Sequence, residues 1–252
     1  MRHIDVGGHR LRAHSSGEGG RHLLCLHGLV DTLEIWDRVA PALRERGRIC
    51  LIDQRGHGGS DAPPGPYSRV DLAADVIGVL DDEGVQRSIL VGHSMGGIVA
   101  MATALAHPER IAGLVLIGST SRCAERIAQW YEVIALAGET DGTAGIVRTI
   151  YGDNSKKQIR GDAQGIAHVT RMLKTLFDDP LSEKLSRITC PVLVMVGEKD
   201  PMGPKASKFI HAALPEGRAE LRTLGGRGHW LHVEAADDVV AAIDDWLTQN
   251  GL

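Results

Sequence analysis

Two hydrophobic patterns alternate along the chain. Short unbroken apolar runs recur at His22–Leu26, Arg48–Ile52, Ile89–Val91, Gly113–Gly118 and Pro191–Val196, as in strands covered on both faces. Between them the period lengthens. Residues 69–83 set Leu72, Val76, Val79 and Leu80 on one helical face, and Val239, Val240, Ile243 and Leu247 mark a last helix. Residues 34–46 carry Ile35, Trp36, Val39 and Leu43 at helical spacing, although Pro41 interrupts them. This alternation predicts an α/β fold with a doubly wound, mostly parallel sheet.

Residues 3–15 alternate loosely around Gly7-Gly8 and predict an antiparallel hairpin at a sheet edge, and residues 219–224 read as a further strand. From residue 119 to 187 no strand-like run occurs. Ile127, Trp130, Tyr131 and Ile134 form one helical stripe there, and Ile166, Val169, Leu173 and Leu176 a second. Residues 1–118 and 188–252 are therefore expected to form one core. Residues 119–187 are expected to be a helical cap inserted over the sheet's C-terminal edge.

The candidate chemistry sits where a strand run gives way to a buried helix, at Gly92-His93-Ser94-Met95-Gly96-Gly97. A G-x-S-x-G sequence on a strand-to-helix turn is a nucleophile elbow. The turn forces the serine into strained backbone angles and brings strand and helix close together, which explains glycine at 92 and 96. The amide of Met95 opens the helix and can face a developing oxyanion.

Composition narrows the function classes. The 252 residues are 43% hydrophobic, enough for a sizeable core. The net charge of −4, with both signs interspersed, provides no basic stripe for nucleic acid. No stretch has the roughly 18–20 apolar residues that span a bilayer, and the N-terminus lacks a signal-like apolar region, so the expected compartment is the cytoplasm. Cys25, Cys50, Cys123 and Cys190 are scattered singly and read as small buried hydrophobes. No phosphate-binding loop or metal-ligand spacing is present, so no cofactor and no metal are expected.

Four separated motifs make the chain resemble the α/β-hydrolase fold superfamily over nearly its whole length. They are Leu26-His27-Gly28, the run from Asp53 to Ser60, the Ser94 elbow, and Gly197–Asp200 taken with Gly228-His229-Trp230. Within that superfamily the chain looks like 3-oxoadipate enol-lactonases and the carbon–carbon bond hydrolases of meta-cleavage products. The resemblance implies a triad in the order Ser94, Asp200, His229, and a second oxyanion donor at the amide of Leu29. It also implies that the Asp53–Ser60 run is a structural turn.

Chemistry supports the same roles. A serine hydroxyl is a weak nucleophile near neutral pH and needs a base. His229, on a glycine-rich loop, suits that task, and Asp200 follows a strand where a carboxylate can orient the imidazole. Asp179 and Glu234 are the fallback acids, and His27 is read as a brace. Trp130 and Trp230 are candidate substrate contacts, with Tyr131, Met172, Leu176 and Phe177 as further candidates for an apolar pocket. Arg122, Arg126, Arg148 and Arg171 are candidates to meet a substrate carboxylate.

The expected activity is hydrolysis of a small carboxylic ester or lactone through an acyl-enzyme on Ser94, by a monomer or homodimer. Carbon–carbon bond hydrolysis and cofactor-free perhydrolase or haloperoxidase chemistry are the alternatives. A ligand receptor that keeps the triad is the rival from another class.

Overall fold

A computed structural model describes all residues from Met1 to Leu252. The hairpin comes first, as β1 (Arg2–Asp5) and β2 (Arg10–Ser16), followed by β3 (His22–Leu26), α1 (Ala40–Leu43) and β4 (Arg48–Ile52). Then come α2 (Arg69–Asp82), β5 (Ser88–His93), α3 (Met95–Ala106) and β6 (Ile111–Ile117). Two helices, α4 (Glu125–Tyr151) and α5 (Ala163–Lys174), precede β7 (Val192–Gly197), α6 (Gly203–Ala213) and β8 (Ala219–Leu224). The chain closes with α7 (Leu231–Glu234) and α8 (Ala236–Gln249).

The eight strands form one sheet in the order β1-β2-β4-β3-β5-β6-β7-β8. β2 pairs antiparallel with both β1 and β4, and every later pairing is parallel. Every residue of β3, β5 and β7 is buried, because helices cover both faces of the sheet, and this accounts for their unbroken apolar runs. One face packs against α2 and α3, and the other against Trp36, α8 and the buried Trp246.

Local signals set several helix ends. Ser68 caps α2 in a reciprocal box, its hydroxyl accepting from the Asp71 amide while its own amide donates to the Asp71 carboxylate at 2.7 Å. Asp162 caps α5 by accepting from Gly165 N at 2.7 Å. Residues 34–46 do not form one helix. They break into a 3-10 turn at Leu33–Trp36, the four-residue α1 and a second 3-10 turn at Arg44–Arg46, with Pro41 held in the first turn of α1, where a missing N–H costs nothing.

Two further elements depart from the sequence pattern. α6 carries no clear apolar stripe, because only Ser207 and Ile210 are buried on it. α4 changes direction at Gly142, whose φ of 64° and ψ of −156° leave the helical region. No helix is long and apolar enough to cross a membrane. All four cysteines are free, with Cys25, Cys50 and Cys190 buried.

β5 and α3 meet without intervening side chains. A methyl group on Gly92 would stand 2.5 Å from the backbone of Gly96, and one on Gly96 would run into the carbonyl of Leu26. Gly96→Ala is therefore expected to lower unfolding free energy by about 2 kcal/mol or more, as read from the urea midpoint. A midpoint equal to that of the parent protein would contradict this packing.

Candidate active site

Ser94 lies between the end of β5 and the first turn of α3, at φ 50° and ψ −112°. That backbone is outside the regions a non-glycine residue ordinarily adopts, and its surroundings hold it there. The Ser94 amide donates to Ile117 O at 2.8 Å, while its carbonyl accepts from Gly97 N, Ile98 N and the Ser119 hydroxyl. Met95 is the first residue of α3, so no carbonyl one turn earlier can accept its N–H.

The loop after β3 approaches the elbow from the neighbouring strand. His27 donates from Nδ1 to Gly28 O at 2.7 Å, and its Nε2 accepts from Gln54 N at 2.9 Å. Both ring nitrogens are thus used in holding the loop, and burial pushes the ring's pKa down. Asp53 adds a second tie, accepting from Leu33 N at 2.7 Å, Gly59 N at 2.8 Å and Arg12 Nε at 2.5 Å. Between these ties Leu29 and Val30 face the elbow, and Val30 is held at φ 62°, an outlier for a β-branched residue.

His229 follows β8 on a loop that Glu234 braces, its carboxylate accepting from Gly228 N at 2.7 Å and Trp230 N at 3.3 Å. His229 Nδ1 and Asp200 Oδ2 are 2.9 Å apart. A carboxylate accepts, so the imidazole proton lies on Nδ1 and the Nε2 lone pair is free to receive another. The second Asp200 oxygen accepts from Met202 N at 2.8 Å, and the carboxylate is fully buried. Behind the loop, His93 Nε2 donates to His229 O at 3.1 Å.

These groups surround one cavity of about 290 Å³. Ser94, His229, Leu29, Met95, Trp130 and Trp230 all line it, and Asp200 stands behind His229. Tyr131, Ile150, Tyr151 and Leu173 close it from the segment between β6 and β7. The structure separates other candidates from the cavity. Glu234 braces the histidine loop, and Asp179 bonds to Arg69 and Lys184. Met172 and Leu176 are packed in the core, while Phe177 is exposed.

None of the four candidate arginines lines the cavity. Arg148 pairs with Asp141 and Arg171 with Glu132 and Glu139, whereas Arg122 stacks over Phe209 and Arg126 is exposed. Conversely, the cavity wall includes Asp31 and Tyr151, which carry no motif that marks them in the sequence. Asp31 Oδ2 accepts from Trp230 Nε1 at 3.4 Å and lies 3.7 Å from His93 Nδ1, too far for a hydrogen bond.

The model of the alpha/beta hydrolase family matches residues 23–243. The chain belongs to that family. A 2-hydroxy-6-oxononadienedioate/2-hydroxy-6-oxononatrienedioate hydrolase of Paraburkholderia phymatum is 32% identical to this hydrolase, over 96% of the chain and 93% of the relative. A solved hydrolase from Pseudomonas aeruginosa PA01 is 29% identical with TM-score 0.83, covering 97% of this chain and 96% of its own. The enol-lactonase from Burkholderia xenovorans LB400 shares the fold at TM-score 0.88 and 24% identity, over 98% of this chain and 100% of its own.

Several histidines around this hydrolase's site are buried. Burial lowers the pKa of His57 to about 3 and, farther along the sheet, that of His22 to about 4, both from 6.5. Between pH 6.5 and 4 the unfolded chain takes up protons that these folded rings refuse, so stability falls on acidification by up to about 1.4 kcal/mol per pH unit for each ring. The urea midpoint is expected to decline across that range. A midpoint that stays constant from pH 6.5 to 4 would contradict neutral, buried rings.

Proposed function

We propose that this hydrolase cleaves small carboxylic esters or lactones through an acyl-enzyme on Ser94. The observation that carries the reading is the Asp200–His229 hydrogen bond of 2.9 Å beside a cavity lined by both Ser94 and His229. It leaves imidazole Nε2 as the free base on the wall that also holds the hydroxyl. The chemistry then runs in two halves. Ser94 Oγ attacks the carbonyl carbon as its proton passes to His229, and the negative oxygen that forms is met by the Leu29 and Met95 amides. Collapse expels the alcohol, which takes the proton from His229. Water, deprotonated by the same imidazole, then attacks the acyl-enzyme, and its collapse releases the acid and restores the Ser94 hydroxyl.

Asp200 keeps the His229 proton on Nδ1 and stabilises the transient imidazolium. In the same reading, residues 119–187 are the cap that shapes the acyl pocket, and Trp130 and Trp230 are substrate contacts. The 32% identity to the Paraburkholderia phymatum enzyme, together with the Gly-His-Trp-x-x-x-Glu run from Gly228 to Glu234, favours carbon–carbon bond hydrolysis as the second reading.

Sustained hydrolysis of p-nitrophenyl butyrate is expected, and Ser94→Ala is expected to abolish it with folding intact. His229→Ala should lower kcat by about a thousandfold or more, and Asp200→Asn should also be severe. Turnover retained in Ser94→Ala would overturn the reading, and so would a single slow turnover in the parent protein. Faster cleavage of a vinylogous diketone than of any ester would favour the second reading.

A further inference from the structure

We propose that the cavity over Ser94 selects substrates whose acyl part carries no negative charge. This rests on the ester-hydrolase reading of the site and names the substrate class for it. The wall is largely apolar, with Leu29, Val30, Ile98, Trp130, Ile150 and Leu173 among its residues, and it contains no lysine or arginine. One carboxylate, that of Asp31, is built into it.

Asp31 is a fixed part of the wall. Its side chain is 16% exposed, and Oδ2 holds the Trp230 indole N–H at 3.4 Å. Burial works against the charge on this carboxyl, but the Trp230 indole N–H favours it, and its pKa lies below the ordinary carboxylate range. His93 is pushed the other way by its own burial, so at neutral pH an anion stands beside a neutral ring. A substrate carboxylate entering here would lose water, meet no cation and face a like charge across a low-dielectric space. An uncharged acyl chain or ring meets a largely apolar and aromatic surface, which suits it.

The cations that could have reversed this sign are committed elsewhere. Arg148 and Arg171 are ion-paired on the helices of the 119–187 segment, and Arg122 lies over Phe209. Lys157 stands outside the wall, with Nζ 4.4 Å from the Tyr151 ring centroid and 5.3 Å from that of Trp230. It rests on two rings of the wall without lining the cavity itself.

The test compares two p-nitrophenyl esters of equal acyl length, the hexanoate and the half-ester of adipate, each measured above the Ser94→Ala rate. The expected kcat/KM ratio favours hexanoate by about 100-fold or more. Asp31→Asn should narrow it by about tenfold, and so should Trp130→Arg, which adds a cation to the wall at a partly exposed position. A ratio within about threefold of unity overturns the proposal, as does an adipate rate that Lys157→Gln removes. Binding gives an independent reading by titration of hexanamide against adipate monoamide. If neither ester turns over, the ester-hydrolase reading fails on its own. Charge selection then stands if hexanamide binds about tenfold or more tightly than the monoamide, and it falls if the two bind alike.

Discussion

The site depends on how closely β5 and α3 approach each other. At Gly92 and Gly96 the backbones of strand and helix leave no room for a Cβ, and the turn between them holds Ser94 at a positive φ that an ordinary turn would not impose. The same contact brings α3 against the end of β3, since the missing Cβ of Gly96 makes room for the carbonyls of Leu26 and His27. One steric constraint therefore positions the hydroxyl, the Met95 amide at the helix start and the loop that carries Leu29.

The proposed base and its carboxylate reach this point from the other half of the sheet, where small residues again allow close approach. Gly118 has φ 56°, and a Cβ there would stand 3.1 Å from both Asp200 Oδ2 and His229 Nδ1. Glu234, one short turn past His229, ties the loop back to the amides of Gly228 and Trp230. His93 adds a direct link from the elbow to the His229 carbonyl. The two halves are thus joined by hydrogen bonds to backbone as well as by packing, which suits a site whose parts must be pre-positioned.

Much of this was legible in the sequence, for reasons that differ by element. β3, β4, β5, β6 and β7 showed as apolar runs because helices bury both faces of the sheet. The elbow showed because its glycines are required sterically. α6 left little trace because its inner face contributes only Ser207 and Ile210 while Phe209 points outward, 49% exposed. Arg171 looked available because its partners are set by tertiary contact. Glu132 and Glu139 lie on α4, whereas Arg171 lies on α5. Asp31 was missed for a similar reason, since it becomes part of a wall only when Trp230 and His93 arrive from distant parts of the chain. Pattern reports what an element buries; it does not report which charges the fold pairs off.

The central claim is that Ser94 is an activated nucleophile, and covalent labelling with a fluorophosphonate followed by peptide mass spectrometry tests it most directly. The structure predicts one adduct per chain, on Ser94, formed much more slowly in a folded His229→Ala variant. A folded, unliganded protein that takes up no label at Ser94, or labels equally fast without His229, would contradict it.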